Sequence, residues 1–294
     1  MISDVSLLVN PNSGRSRGAA AALRALRYLR ARGIAVTTLM GKDAAESAAL
    51  AHRAVAAGTG ALVACGGDGL VNIALQAVAG TSTPFGVIPA GTGNDHARML
   101  GIPRHDPVAA ARVVATGAVR PIDLGRAGDR WFGTVLAGGF DAKVTERTNR
   151  LRWPRGKLRY NLAVLIELIA LRPRDYVLEL DDRRMAVPAM LVAVGNGATY
   201  GGGMRICPHA DQTDGLLDVT VIEHRRLTEL VRLLPAIYTG EHVEHPQVTT
   251  YRAVRVRVST TDIVGHADGE PFAPLPVTCE CVPAAARAIV PVPE

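Results

Sequence analysis

The stretch Gly66-Gly67-Asp68-Gly69-Leu70-Val71-Asn72 follows directly on the apolar run Ala61-Leu62-Val63-Ala64-Cys65, and its reading decides the fold. Three glycines within four residues do nothing for a strand, because each loses more entropy on ordering than other residues and packs no side chain. Their place at the end of an apolar run marks a point where something approaches the backbone closely. Short apolar runs of the same kind recur at 5–10, 35–40 and 84–89. Between and after them lie Ala-rich stretches predicted as helices over 15–32, 43–58, 70–79 and 92–100. Strand–helix alternation with nearly continuous apolar strands predicts a parallel sheet covered on both faces. The expectation is a three-layer α/β domain over residues 1–122.

Asp106-Pro107 reads as an N-cap followed by proline at the first helical position, opening a helix over 108–116. After Pro121-Ile122-Asp123-Leu124 the texture changes, with strand-like runs at 131–137, 176–180, 190–194, 216–222, 253–258 and 277–282 joined mainly by turns. A second, mostly antiparallel β domain over 123–282 is expected, interrupted by helical segments near 158–171 and 227–238. Residues 283–294 form a C-terminal segment free to return to the first domain.

At 294 residues the chain is long for one core, which agrees with two domains. With 48% apolar and 20% charged residues the composition is that of a globular protein, and the net charge of +6 favours anionic partners: nucleotides, nucleic acid or a membrane surface. Cys65, Cys207, Cys279 and Cys281 form no C-x-x-C pair and no zinc-type array, so reduced thiols are expected. The opening MISDVSLLVN lacks the basic and apolar regions of a signal peptide. The apolar segment 158–171 is broken by Glu167 and too short to span a bilayer. A cytoplasmic protein able to touch a membrane is the expectation.

Four glycine-rich strand ends stand out: Asn10-Pro11-Asn12-Ser13-Gly14, Gly66-Gly67-Asp68-Gly69, Pro89-Ala90-Gly91-Thr92-Gly93-Asn94-Asp95 and Gly195-Asn196-Gly197. Ligands of open parallel sheets bind beyond the carboxyl ends of the strands, where the first three loops fall. Glycine there frees N–H groups to face phosphate oxygens, and the helix that follows adds its dipole. A carboxylate inside a phosphate cradle repels its ligand unless a cation lies between them. Asp68 is therefore a metal contact, and Mg²⁺ held by one or two carboxylates plus phosphates fits hard-cation chemistry. No G-x-x-x-x-G-K-[ST] occurs, His96 stands where a dinucleotide fingerprint needs its third glycine, and no H-R-D or D-F-G is present.

At these residues the chain resembles the diacylglycerol kinase catalytic-domain family, bacterial soluble lipid kinases related to sphingosine and ceramide kinases. NPNSG (10–14) is similar to the family's N-P-x-S-G, GGDGLVN (66–72) to G-G-D-G-T-x-N, and PAGTGND (89–95) to P-x-G-T-x-N-D. Later, Pro208-His209-Ala210-Asp211-Gln212-Thr213-Asp214-Gly215-Leu216 resembles P-x-A-x-x-x-D-G-x-L, and Asp268-Gly269-Glu270 a late D-G-E. The likeness runs in order from about residue 5 to residue 290. It departs from the pattern at Leu70, where the family usually has Thr, and at Ile73, where it has Glu.

The resemblance implies a first domain like that of NAD kinases and phosphofructokinase, a β-sandwich second domain, and ATP in the cleft between. It further implies that Asn10, Pro11, Asn12, Ser13, Gly14, Thr38, Gly66, Gly67, Asp68, Gly69, Leu70, Val71, Asn72, Gly91, Thr92, Asn94 and Asp95 line the nucleotide. In this reading Asp68 and Asp95 are candidates for the catalytic Mg²⁺, Glu270 is the general base and Asp268 supports its orientation. In some members a structural Mg²⁺ is held by residues matching Asp211, Asp214 and the carbonyl of Leu216. By itself D-G-E reads as a type I turn between strands, and His96 and His266 as ordinary hydrogen-bonding histidines.

The implied reaction is Mg-dependent phosphoryl transfer from ATP to diacylglycerol, giving phosphatidic acid. Another long-chain alcohol or sphingoid lipid, an NAD kinase-like activity, or a nucleotide-binding regulator that lost turnover through Leu70 and Ile73 stay open at this point. The basic, Trp- and Tyr-bearing stretch 147–160 leads into an apolar segment ending at 171 and is a candidate for peripheral contact with the inner leaflet. No nucleic-acid partner is expected, since no binding module is found. The oligomeric state is left open.

Overall fold

Strands β1 (Asp4–Val9), β2 (Ala35–Leu39), β3 (Leu62–Gly66) and β4 (Pro84–Pro89) pair in parallel in the order β2-β1-β3-β4. The computed structural model describes residues 2–138, 172–223 and 235–292, together with positions 147, 150, 153, 163, 166 and 233. β1, β3 and β4 are buried almost throughout, as expected of a sheet covered on both faces, whereas β2 is a partly exposed edge. Helices α1 (Ser13–Ala31), α2 (Ala44–Ala56), α3 (Asp68–Val78), α4 (Asp95–Met99) and α5 (Pro107–Thr116) connect and cover them.

Local chemistry sets where these helices start. The Asp43 carboxylate accepts the Glu46 N–H at 2.8 Å, and Asp106 accepts the Val108 N–H at 2.9 Å with Pro107 in the first turn. α4 is shorter than the helix predicted over 92–100, because Asn94 adopts φ 53° and helical geometry begins only after it. That conformation is one asparagine tolerates better than most residues.

The second half of the chain contributes β5 (Ala118–Ala127), β6 (Arg130–Phe132), β7 (Val135–Gly138), β8 (Arg174–Leu180), β9 (Arg183–Gly195), β10 (Leu217–Glu223), β11 (Val248–Ala253), β12 (Arg255–Ser259), β13 (Val264–Ala267), β14 (Glu270–Pro274) and β15 (Val277–Val290). Most pairings here are antiparallel. β9 pairs with β8 through its first half and with β7 and β10 through its second, which lets it cross from one layer of a β-sandwich to the other. Alternation sorts the side chains: Leu136, Val192 and Val194 enter the sandwich core with Tyr176 and Phe132. Their neighbours Val135, Leu191 and Ala193 face a smaller core with Tyr200, Met204 and Ile237.

β15 departs from the sequence-based expectation, which ended a strand at 282. It continues to Val290 through an irregularity between Val282 and Ala286, and it pairs along most of its length with β5, itself absent from the expected strands. Pro283 disguises the continuation. The Ala284 N–H donates to Asp123 at 2.8 Å, so the interruption is a bonded bulge and not an end. The last residues of β15 lie beside β4, and Ala285–Val290 contribute to the first core. One strand thus ties the parallel sheet to the sandwich.

The expected helix over 158–171 and the basic stretch before it lie outside the described residues except at positions 147, 150, 153, 163 and 166. Of the one expected over 227–238, residues 233 and 235–238 are described and helical, and the helix continues to 239. Among the described residues no helix is long and apolar enough to cross a membrane.

Candidate active site

The GGDG loop connects β3 to α3, and Asp68 is the first residue of that helix, where its charge meets the positive end of the helix dipole. The loop after β4 lies against it. A Cβ on Gly91 would come within 2.5 Å of the Gly67 Cα, and the Ala90 N–H donates to the Gly66 carbonyl at 2.8 Å. Only glycine permits that approach, which answers why the two motifs are glycine-rich at matching places. The Asn10–Gly14 loop stands alongside, joined by the Asn10 N–H to the Cys65 carbonyl at 3.2 Å.

The D-G-E segment of the second domain reaches this loop. Asp268 and Gly269 have φ 53° and 82°, and they form a two-residue connection between β13 and β14. Positive φ at both positions is the signature of a type I′ hairpin, not the type I turn that the sequence suggests. The hairpin points Glu270 at the glycine loop: a Cβ on Gly69 would lie 2.8 Å from Glu270 Oε1. Glu270 is exposed, so an acceptor molecule has access to it.

Asp268 is buried beneath them. Its Oδ2 accepts from Asn72 Nδ2 at 2.7 Å and the Gly133 N–H at 3.1 Å, and its Oδ1 from the Thr134 N–H at 2.8 Å and Thr134 Oγ1 at 2.6 Å. Every partner is a donor. Burial alone would raise its pKa, but the charge of His96 and these hydrogen bonds hold it down at about 2. Asp268 therefore positions the hairpin and does not face a substrate.

His96 stands between the two aspartates. Its Nδ1 is 3.4 Å from Asp68 Oδ1, its backbone N–H donates to the same oxygen at 3.3 Å, and its Nε2 is 3.5 Å from Asp268 Oδ2. The last contact is attraction between charges at a distance longer than a regular hydrogen bond. Burial opposes the imidazolium, yet Asp268 and then Asp68 outweigh it and raise the pKa to about 10. Asp68 in turn is lowered, His96 prevailing over burial. Burial lowers the pKa of His266, whose Nδ1 lies 3.2 Å from the Val264 carbonyl.

These shifts set a pH window for stability. The His96 contribution is fully present below its ordinary value of 6.5 and is lost as pH rises towards about 10. The Asp268 contribution is present above 3.8 and is lost as pH falls towards about 2. Urea unfolding of the native protein and of His96→Phe should show a stability difference larger at pH 6.5 than near pH 10. A difference that does not change across that range would contradict a charged His96.

Gly93 separates Asp68 from Asp95. A Cβ there would meet Asp68 Oδ2 at 2.8 Å and Asp95 Oδ2 at 3.4 Å. Two carboxylates this close favour a cation, and the pKa of Asp95 is raised by burial and then by the charge of Asp68. The oxygens of Asp95 are nevertheless engaged. Oδ1 pairs with Arg98 and Oδ2 accepts the Gly202 N–H at 2.6 Å, while Arg98 donates to the Gly202 carbonyl at 3.3 Å. Asp95 thus latches the Gly201–Gly203 turn of the second domain onto the first, with both of its oxygens engaged there. Asp68 keeps 21% of its side chain exposed, and one carboxylate beside backbone N–H groups fits a divalent ion completed by phosphate oxygens.

Other residues expected to line the nucleotide have these surroundings. Leu70 and Val71 bury their side chains in the first core and commit their N–H groups to the Gly67 carbonyl. Leu70 packs back over Gly66, 2.8 Å from where its Cβ would be, and Ile73 packs against the same core, so both departures from the family pattern are apolar packing. Asn72 belongs to the Asp268 cluster. Asn94 closes its own loop, accepting the Gly91 N–H at 2.9 Å and donating to the Gly91 carbonyl at 3.2 Å. Thr92 is exposed at the loop tip, and Thr38 is exposed on the edge strand β2 opposite Leu7.

The Gly195-Asn196-Gly197 loop supports the seam from below, Asn196 donating to the carbonyls of Asp123 and Gly133. Asp211, Asp214 and Leu216 are not in this cluster. The Asp211 Oδ1 accepts from the Thr213 N–H and Oγ1 at 3.0 and 2.7 Å, while Asp214 pairs with Arg252 and accepts the Leu216 N–H at 3.0 Å. Both Asp214 oxygens are thus engaged, one by the Arg252 guanidinium and the other by a backbone N–H, which disfavours the implied structural Mg²⁺ here.

Sequence reasoning missed the residues that hold the two domains together. Gln76 exchanges two hydrogen bonds with the Trp131 backbone at 2.7 and 2.9 Å, next to the Asn72–Asp268 contact. The available signal was the spacing of Asn72 and Gln76, one helical turn apart on a helix whose Val71, Ala74, Leu75 and Val78 are apolar.

Comparison with known proteins agrees with this architecture. Residues 4–127 match the diacylglycerol kinase catalytic domain, and residues 133–290 match the YegS C-terminal NAD kinase beta sandwich-like domain. A Mycobacterium tuberculosis protein named diacylglycerol kinase is 47% identical over 296 residues, covering 99% of this chain and 96% of its own. One of that name from Bacillus subtilis is 30% identical over 271 residues, covering 90% and 88%. A solved structure of a diacylglycerol kinase from Bacillus anthracis shares the fold with a TM-score of 0.76 at 20% identity, covering 98% of this chain and 97% of that one. The chain belongs to the diacylglycerol kinase catalytic-domain family and is a lipid-kinase phosphotransferase.

Proposed function

We propose that the protein transfers the γ-phosphoryl group of ATP to the free hydroxyl of diacylglycerol, giving phosphatidic acid and ADP. The observation that carries this reading is the meeting at Gly69, where the glycine loops of the first domain touch the Glu270 carboxylate of the second. The loop backbone and the start of α3 favour the triphosphate. Glu270 takes the proton of the acceptor hydroxyl as its oxygen bonds to phosphorus and the bond to the β-phosphate oxygen breaks. Asp68 is the residue that would hold Mg²⁺, and a bound ion there would neutralise phosphate charge. His96 holds the Asp68 carboxylate in place, and Asp268 holds the hairpin that carries Glu270.

The lipid is met at a membrane surface. Basic residues near an anionic leaflet each contribute about 1 kcal/mol, which supports the stretch 147–171 as the contact. Trp153 within it is 80% exposed. The test uses γ-labelled ATP with vesicles carrying diacylglycerol, monoacylglycerol, ceramide or sphingosine, each with and without anionic lipid. Labelled phosphatidic acid, formed faster on anionic vesicles, is the expected result. Label confined to a sphingoid lipid, or appearing in added NAD instead, would overturn the reading.

A further inference from the structure

The second-domain carboxylates that fail to form a metal site are already supplied with a cation. Arg252 lies on β11 directly opposite Asp218 on β10. Its guanidinium pairs with Asp214 Oδ2 through one terminal nitrogen and stands 3.4 Å from Asp218 Oδ2 through Nε. The Asp218 side chain is 6% exposed, its Oδ2 accepts no regular hydrogen bond, and Arg252 is the main positive charge acting on it, with His209 a lesser one. A planar guanidinium presents donors on two edges and bridges two carboxylates where a lysine would meet one.

The clamp also has a structural load. Besides the Arg252–Asp214 pair, the 211–216 turn is tied to the rest of the fold by the Asp123 N–H to the Gln212 carbonyl at 2.7 Å, the Gly215 N–H to Asp123 Oδ2 at 2.8 Å, and Gln212 Nε2 to the Gly133 carbonyl at 2.9 Å. Gly133 is itself a donor to Asp268. The turn therefore braces the seam on which the hairpin of Glu270 depends.

We propose that Arg252 is the resident counter-ion of the second domain, bridging Asp214 and Asp218, and that this domain is held together without a structural divalent ion. Mg²⁺ binding by carboxylates requires several oxygen ligands with near-octahedral placement, and here one Asp214 oxygen is taken by a guanidinium and the other by a backbone N–H.

The test is metal content by mass spectrometry and thermal unfolding of the nucleotide-free full chain, before and after dialysis against EDTA. Less than about 0.1 equivalent of divalent metal and a Tm unmoved by EDTA or by Mg²⁺ are expected. Arg252→Met should lower Tm by about 3–6 °C, because two carboxylates lose their cation. Asp214→Asn combined with Arg252→Met should melt above Arg252→Met alone, since it relieves one of those charges. Stoichiometric metal in the native protein whose removal lowers Tm would overturn the proposal. So would an Arg252→Met variant that melts with the native protein, or a double variant that melts below the single one. If Arg252→Met does not fold, the metal content and EDTA response of the native protein decide.

Discussion

Replacing Glu270 with Gln cuts lipid phosphorylation by about 10²–10⁴-fold while nucleotide affinity stays within about twofold. The substitution keeps the shape of the side chain and the hydrogen-bonding frame of β14, and it removes only the ability to take a proton. Glu270 is exposed and contributes to no buried cluster, so the folded state loses nothing by the change. Its position against Gly69 means that any hydroxyl aligned with a phosphate in the glycine loops also faces this carboxylate. The measurement is initial rate with γ-labelled ATP and vesicle-borne diacylglycerol, alongside nucleotide affinity by calorimetry. An equal loss of affinity would make Glu270 a nucleotide contact, and an unchanged rate would remove it from the chemistry.

The second large effect concerns stability. Asp268→Asn should cost about 3–5 kcal/mol, because four donors and the His96 imidazolium converge on a carboxylate that only accepts. An amide in its place turns an NH₂ group towards the Gly133 N–H or the Thr134 N–H, donor against donor, and leaves the buried charge of His96 with only one of its two carboxylates, Asp68. For a chain of this size that is a fall in Tm of about 8–15 °C, readable by differential scanning fluorimetry. A fall of under about 2 °C would mean that Asp268 is protonated in the native protein, contrary to its lowered pKa.

Much of this was legible from residue patterns because the parallel sheet and its loops are local features. Apolar runs ending in Gly66-Gly67-Asp68-Gly69 and Pro89-Ala90-Gly91 announce strand, tight loop and helix within a dozen residues. The N-cap at Asp106 with Pro107 is equally local. What escaped were contacts between distant segments. Nothing near His96 in the chain says that its two nitrogens face Asp68 and Asp268, since Asp268 arrives through a hairpin of the other domain. The engagement of Asp95 depends likewise on Gly202, 107 residues away. β15 was cut short because Pro283 is a strand-ending residue by local rules, and only its pairing with β5 overrides that preference. Asp211 and Asp214 suggested a metal only through their match to the family pattern, while the cation that answers Asp214 sits on a strand 38 residues further on.

The central claim is that one site is assembled from both domains, with Asp68 and Glu270 facing the same phosphate across Gly69. A crystal structure with a non-hydrolysable ATP analogue and Mg²⁺ tests it most directly. The expected result is the triphosphate between the Gly66–Gly69 and Gly91–Gly93 loops, a metal on Asp68, and the terminal phosphate turned towards Glu270. A nucleotide bound elsewhere, or a terminal phosphate turned away from the D-G-E hairpin, would contradict it.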